Sequence, residues 1–417
     1  MQQQLEHELD EEEEEQSQLL AAVVVLMGAQ QSLDLQAAQR ANSRQYLLHG
    51  ELVGHPRMLS PWLALYEAAN DWGFITTMGI DVTTFHDILQ AGFEDRWLTT
   101  HIERVDNPQS AAIRPSRRSL DSAGALGLGL HYLCSTTQNI ALAQIFSLVP
   151  ATVSRYLLMV IPTLLQTLKQ MPDAQIRWLA GDEFEENSML VEEHHPRLSG
   201  AFGTVDGLSL PVQTSNDEEM ENSTYNGWKH SHNINNVIVY SATGLIIACN
   251  LNAPGSWHDS HVAQPIYKKL HSDTPDGYFL VADTAFPHGD QSIAGRIQTS
   301  MKAGTVLPEG DLDRELISFR QTCEWGNQTL QGCFRRLCVL LSCENESFRA
   351  DVLECCVRLF NLRTRRIGLN EIRTVYTSAW KEGAEQERIW AGFRDMLFKD
   401  QRRNDRVARF HIQVSYE

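Results

Sequence analysis

The chain carries four acidic residues whose local contexts suit metal-dependent phosphoryl chemistry: Asp206, Asp259, Asp283 and Glu324. Asp206 and Asp283 each follow a short apolar run, so we expect both to lie at the ends of buried strands. Asp259 follows a turn-like segment, and Glu324 lies in a stretch of helical character near Arg320. Carboxylates brought together repel one another unless a cation or a proton lies between them. Oxygen ligands of this kind suit Mg²⁺ or Mn²⁺, so the four acids are candidate ligands of a divalent cation.

The elements that must position these acids follow from the change in apolar periodicity after residue 200. Strand-like runs cover 203–206, 236–240, 245–251 and 278–282, with a hairpin turn at 242–244 and helices at 260–270, 314–341, 348–366 and 384–401. The order β-β-β-α-β-α predicts an α/β, ribonuclease-H-like domain, a mixed sheet flanked by helices. In this order Asp206 and Asp283 lie at the tips of neighbouring strands, and Glu324 faces them from a later helix. Asp259 begins the helix before the fourth strand, where an N-cap and a metal ligand are both open interpretations.

The segment 139–157 has the shape of a helix-turn-helix. Its turn contains Pro150, and its second helix is predicted to begin at Ala151 or Thr152, with Ser154 and Arg155 on the first turn. We weigh a DNA-contacting recognition helix and an ordinary helical hairpin equally.

These patterns divide the chain into five predicted regions. They are a disordered acidic tail at 1–18, a mixed and mostly helical region at 19–120 that ends in a linker at 107–119, a helical region at 121–199 with the helix-turn-helix, a catalytic domain at 200–375, and a helical extension at 376–417.

Composition sets the class of protein but not its partner. The 417 residues are 42% hydrophobic and 21% charged, as in ordinary globular proteins. The formal net charge is -18, of which the acidic tail supplies eight negative charges, so charge alone does not decide whether nucleic acid binds.

The apolar run at 19–29 is too short to span a bilayer and follows acids, so no membrane segment is expected. Eight cysteines without a C-x-x-C pair indicate a reducing compartment, the cytosol or nucleus.

Five ordered blocks of the chain resemble the Harbinger-type DDE transposases, the DDE superfamily endonucleases that are abundant in fungal genomes. The blocks are GTVDG at 203–207, YNGWKH at 225–230, LNAPGSWHDS at 251–260, VADTAFP at 281–287 and SFRQTCEWG at 318–326. The resemblance implies that Asp206, Asp283 and Glu324 are catalytic and that Asp259 joins them as a metal ligand. Strand order favours Asp283 over Asp259 as the second catalytic Asp, and the choice stays open.

The resemblance also implies a reaction and its participants. Two Mg²⁺ (or Mn²⁺) ions would support DNA strand hydrolysis and transfer of the freed 3′-OH to target DNA, with Asp206 bridging the ions. The implied partners are transposon ends and target DNA, with a separate Myb-like accessory protein and a homo-oligomer left open. The implied location is the nucleus.

Other residues have both a functional and a structural interpretation. Lys229, His230 and His232 either hold a DNA phosphate or line a solvated loop. His258 and His261 flank Asp259, and polar packing at the helix start is favoured over a ligand or proton shuttle.

Two tryptophans and a group of arginines also have both a functional and a structural interpretation. Trp228 and Trp257 are expected to be core or loop anchors rather than base-stacking platforms. An arginine cluster either follows a DNA backbone or forms surface ion pairs; its members are Arg358, Arg363, Arg365, Arg366 and Arg373, of which Arg363, Arg365 and Arg366 are the candidate DNA contacts.

Three functions compete for this chain. The first is a metal-dependent DNA endonuclease and transposase, which the four retained acids favour. The second is a domesticated, catalytically silent DNA-binding or scaffold protein derived from a transposase. The third is a metal-dependent nuclease without strand transfer.

Overall fold

The structure, a computed structural model, describes residues 26–27, 30–33, 35–36, 55–102, 113–286, 293, 295–300 and 310–377. The chain divides into two units, Met1–Glu51 and Leu52–Glu417. In the first unit the described residues are helical and exposed. The predicted acidic tail, the first part of the predicted linker (107–112), most of the C-terminal extension and the helix predicted at 384–401 lie outside the described residues, and the domain boundaries stay predictions.

Helices precede the sheet in the second unit. They are α1 (Pro56–Leu59), α2 (Pro61–Ala68), α3 (Asp71–Met78), α4 (Val82–Ile88), α5 (Glu94–Thr99), α6 (Ser122–Cys134), α7 (Asn139–Ile145), α8 (Pro150–Gln170) and α9 (Glu183–His194), with a π-helical turn at Leu89–Phe93 and 3₁₀ turns at Pro115–Arg117 and Pro172–Ala174. At the start of several of these helices, a side chain accepts hydrogen bonds from the backbone N–H groups of the first turn. Asn70 accepts from the backbone of Trp72 and Gly73, and Asp121 accepts from Gly124.

The predicted helix-turn-helix is present as α7, a short turn and α8, with one correction. Pro150 is the first residue of α8 rather than part of the turn, because a proline at that position loses no helical hydrogen bond. Helix α8 is long and apolar enough to cross a membrane by composition alone, but 61% of that window is buried within the protein. Its apolar face packs in the core, and Ser154 is exposed on the opposite side.

Within the described residues, six strands form one mixed sheet. They are β1 (Ala201–Pro211), β2 (Tyr225–Asn226), β3 (Ser231–Ser241), β4 (Ile246–Pro254), β5 (Phe279–Ala282) and β6 (Ile297–Thr299). The order is β2-β3-β1-β5-β6, and β4 also pairs with β3. β3 runs antiparallel to β1 and β4, whereas β5 and β6 run parallel to β1. The α/β class and the ribonuclease-H-like arrangement predicted above are therefore confirmed.

The later helices complete the layers around the sheet. They are α10 (Glu218–Thr224), α11 (Asp259–Val262), α12 (Gln264–Ser272), α13 (Gly310–Cys333), α14 (Glu346–Arg366) and α15 (Glu371–Tyr376), with a 3₁₀ turn at Arg335–Cys338. The helix predicted at 260–270 is interrupted at Ala263, and α12 begins at Gln264 with Pro265 in its first turn. The helix predicted at 314–341 ends at Cys333, and β6 was not predicted.

Alternation along the strands fills two hydrophobic clusters, one on each face of the sheet. Ile238 and Tyr240 belong to the larger cluster, which also contains the N-terminal helices, α13 and α14. Val237 and Val239 point to the smaller cluster, which α11 and α12 cover. Helices on both faces bury the sheet, so a polar side chain in it must find a partner or serve a site.

Candidate active site

Asp206 and Asp283 meet because β1 and β5 are parallel neighbours. Val205 pairs with Ala282, so the two acids come next in register. The predicted placement of Asp206 at a strand tip is wrong: β1 continues to Pro211, and Asp206 lies at its centre. It is β5 that ends there, which opens the sheet edge beside Asp206. Position 206 faces the larger cluster, and the alternation along β5 puts position 283 on the same face.

Asp206 is a half-buried carboxylate whose charge is incompletely compensated. The pKa of Asp206 is raised to about 6, chiefly by burial, and repulsion from Asp259 and Asp283 contributes to the rise. The backbone N–H of Gly207, which donates to Oδ1 at 2.9 Å, and the charge of Arg320 oppose this rise. Asp283 accepts from the backbone N–H of Thr284 at 2.7 Å.

Asp259 approaches the same strand from the other face. A Cβ built on Gly207 would lie 2.3 Å from Oδ2 of Asp259, so only glycine leaves room for this carboxylate. The N-cap interpretation is wrong, because His258 occupies the cap position and Asp259 is the first helical residue. Burial raises the pKa of Asp259, His258 and Lys229 lower it, and Asp283 raises it.

Glu324 lies on α13, the helix that packs across β1. It forms an ion pair with Arg320, one turn earlier, with 3.1 Å between Nη2 and Oε1. Because the charge of Arg320 also lowers the pKa of Asp206, this guanidinium is the counter-charge shared by the two acids.

Asn327 and Tyr240 belong to this site, and sequence reasoning missed both. Asn327 donates to Oδ2 of Asp206 at 3.5 Å and accepts from the Tyr240 hydroxyl at 3.1 Å. The sequence signal for Asn327 is its position three residues after Glu324, since residues three apart lie on the same side of a helix. Gly326 lets the ring of Tyr240 pack against the helix, because a Cβ there would lie 2.6 Å from that ring.

The carboxylate oxygens of this site are ligands of the kind that a hard divalent cation prefers. Asp206, Asp259 and Asp283 supply oxygens, and their mutual repulsion is what a cation relieves. In the described part of the chain, no three His, Cys, Asp or Glu side chains are close enough to form a ligand group. The acids therefore interact here as neighbouring charges rather than as a complete coordination shell.

The basic residues predicted to contact DNA lie in different places. Lys229 is exposed, and its charge reaches Asp259. His230 is exposed beside it, with Nδ1 3.5 Å from the Tyr225 hydroxyl. His232 is held instead by the Thr224 hydroxyl, 3.1 Å from Nδ1. Arg155 bonds to the carbonyl of Ala151 within α8, one turn before it.

His258 and His261 make contacts typical of polar packing at a helix start. The hydroxyl of Ser260 lies 3.2 Å from Nδ1 of His258. The ring of His261 stands edge-on to Trp257, with 4.5 Å between centroids.

The DNA contact predicted for Arg363 is wrong. Arg363 is 6% exposed inside the core and contacts the thiol of Cys333, so no phosphate reaches it. Arg365 donates to the carbonyl of Asp173 at 2.6 Å, and Arg366 forms ion pairs with Asp87 and Asp173. These two arginines tie α14 to the preceding helical region.

The family comparison bears on the segment that holds the site. A family model described as DDE superfamily endonuclease matches residues 205–361, which include Asp206, Asp259, Asp283 and Glu324. No curated protein and no solved structure gives a significant match. The Harbinger type and the fungal type stay predictions. Over the segment that carries the four acids, the chain is similar to the DDE superfamily endonucleases, and this match supports a transposase family of the DDE type.

Proposed function

We propose that this protein is a metal-dependent DNA endonuclease that cleaves phosphodiester bonds by the two-metal chemistry of DDE transposases. One observation carries the proposal: Asp206 and Asp283 are next in register on parallel strands, and α13 presents Glu324 on the same face. This neighbouring arrangement of the acids supports the proposal that the cleavage chemistry takes place beside Asp206.

The acids have distinct proposed roles. Asp206 would be the shared ligand, and Asp283 and Glu324 would each help to hold one cation. Asp259 is an additional ligand that reaches the site past Gly207. Bound Mg²⁺ or Mn²⁺ would activate the attacking oxygen and stabilise the leaving one.

The chain's own residues prepare this site before any cation binds. Asn327 and the Gly207 N–H each donate to one oxygen of Asp206, at 3.5 and 2.9 Å, which favours one orientation of the carboxylate. Arg320 neutralises part of the negative charge and holds Glu324 to one side. Lys229, exposed near Asp259, is placed to bind a DNA phosphate.

Nicking of supercoiled plasmid in Mg²⁺, Mn²⁺ or EDTA tests the proposal. We expect metal-dependent nicking that Asp206→Ala abolishes without changing the thermal unfolding profile. Glu193→Gln, which removes an exposed acid on α9, is the matched control and should cut normally. Undiminished nicking by Asp206→Ala would remove these acids from the reaction.

Strand transfer separates the competing functions. With DNA that carries the element's terminal repeats, joined products support a transposase, and cutting alone supports a nuclease without transfer. Binding without cutting supports a silent descendant. Transposon ends and target DNA are the proposed substrates, and the nucleus is the proposed location, with a Myb-like accessory protein and a homo-oligomer as further proposals.

A further inference from the structure

The turn between β2 and β3 presents a tryptophan almost entirely to solvent. Trp228 is 92% exposed, although burial of an indole ring is strongly favourable. The expectation that Trp228 anchors a core or loop is therefore wrong. A large aromatic ring exposed to water is available to stack on a ligand.

The backbone that carries Trp228 is held by hydrogen bonds. Oδ1 of Asn226 accepts from the backbone N–H groups of Trp228 and Lys229, at 3.1 and 3.0 Å. Nδ2 of Asn226 donates to the carbonyl of Gly255 at 2.8 Å. This last bond joins the β2–β3 turn to the loop that leads into Asp259.

A second partly exposed indole lies on that loop. Trp257 is 45% exposed, and its ring is fixed by the edge-on contact with His261. Asn235 donates to the carbonyl of Trp257 at 2.7 Å, which anchors the loop to β3. The two indoles therefore lie on connected loops beside Asp259, whose pKa the charge of Lys229 lowers.

We propose that Trp228 and Trp257 form a stacking surface for an unpaired base of the DNA strand at the candidate active site. Bases in a duplex are already stacked on both faces, so an exposed indole gains most from a base that has left the stack. Lys229, next to Trp228, supplies the charge that binds the adjoining phosphate. This inference rests on the proposed function and specifies the form of its substrate.

Binding to two oligonucleotides of equal length tests the inference. One is oligothymidylate, and the other has the same phosphates but abasic sugars. Fluorescence anisotropy is measured in the Asp206→Asn background with Mg²⁺, so that strand cutting does not interfere. We expect Trp228→Ala to weaken oligothymidylate binding by about tenfold and to leave abasic binding unchanged, while Trp228→Phe retains most of the affinity.

Two control variants sharpen the result. Met189→Ala, a truncation of a 63% exposed side chain on α9, should bind both oligonucleotides normally. Lys229→Gln should weaken both to the same extent and lower the salt dependence, because it removes a phosphate contact.

Three results would overturn the stacking surface. They are an equal loss on both oligonucleotides with Trp228→Ala, no loss on either, and a changed oligomeric state by light scattering without a change in base preference. A changed oligomeric state would mean that Trp228 contacts a second copy of the protein instead of a base. A failure to nick plasmid would count against the proposed function and leave the comparison of the two oligonucleotides valid.

Discussion

Asn327 donates a hydrogen bond to Oδ2 of Asp206, from the helix that also carries Glu324. The same amide accepts from the buried hydroxyl of Tyr240, so its orientation is fixed. Two elements of the fold, α13 and β3, thereby determine how one carboxylate on β1 is presented. Asn327 acts on the proposed chemistry through Asp206 and is a positioning residue.

Substitution of Asn327 tests this role. We expect Asn327→Leu to lower the plasmid-nicking rate by about tenfold or more, because side chains that orient metal ligands have effects of this size. The metal concentration for half-maximal nicking should also rise. Gln321→Ala, an exposed change on the same helix, should have neither effect.

A second variant separates positioning from stability. Asn327→Leu leaves the Tyr240 hydroxyl buried without its acceptor, which costs about 1–3 kcal/mol. Adding Tyr240→Phe removes that hydroxyl and should recover part of the thermal stability without recovering the nicking rate. Recovery of both would mean that Asn327 only stabilises the fold.

Arg320 competes with any cation for the charge of Asp206 and Glu324. We expect Arg320→Gln to tighten Mn²⁺ binding by up to about tenfold, since a positive neighbour has been removed. Binding is measured by titration followed with electron paramagnetic resonance, well above the pKa of Asp206, which is about 6. Arg358→Gln breaks a comparable pair with Glu354 away from the site and should leave binding unchanged. Weaker binding by Arg320→Gln would show that the arginine supports the site instead.

Gly207 makes the role of Asp259 testable by steric means. Gly207→Ala places a methyl group against the Asp259 carboxylate, so we expect a loss of nicking similar to that of Asp259→Asn. Both losses should be smaller than that of Asp283→Asn. Gly332→Ala, whose added Cβ meets nothing within 4 Å, is the control. If Asp259→Asn proves as harmful as Asp283→Asn, Asp259 becomes the better candidate for the second catalytic acid.

Sequence reasoning recovered the elements that depend on buried apolar runs. The strands around Val239 and Val281 are apolar and β-branched because both faces of the sheet are covered, and that pattern is visible without coordinates. β6 was missed because a strand of three residues has no measurable period. The break at Ala263 was missed, although a proline such as Pro265 is favoured in the first turn of a helix.

Side-chain environments were harder to predict than elements. Arg363 is surrounded by other arginines in the sequence, and only the packing of α14 shows that this one points into the core. A tryptophan is usually buried, and only the structure shows that Trp228 is 92% exposed among the described residues. The link from Asn327 to Asp206 joins residues 121 apart in the chain, a pairing that no local pattern encodes.

Asp206 should destabilise the metal-free protein at neutral pH. Its pKa is raised from 3.8 to about 6, chiefly by burial, so the folded state holds this proton at pH values where the unfolded chain has lost it. The folded state binds more protons between these two values, and stability therefore falls as pH rises through that window. A shift of this size corresponds to at most about 3 kcal/mol, and partial solvent exposure reduces it to about 1–2 kcal/mol.

We therefore expect Asp206→Asn to raise the Tm in EDTA by a few degrees at neutral pH, because the amide carries no charge to desolvate. The gain should shrink as the pH falls through this window and disappear below the unfolded value of 3.8, where the wild-type carboxyl is protonated in both states. Mg²⁺ should raise the Tm of the wild type more than that of the variant, since a cation that binds only the folded state stabilises it. Glu193→Gln, the exposed control, should respond to Mg²⁺ as the wild type does. An equal Tm difference at both pH values would mean that the amide stabilises the fold for reasons unrelated to charge. Burial of the Asp206 carboxylate would then carry no electrostatic cost for a cation to relieve.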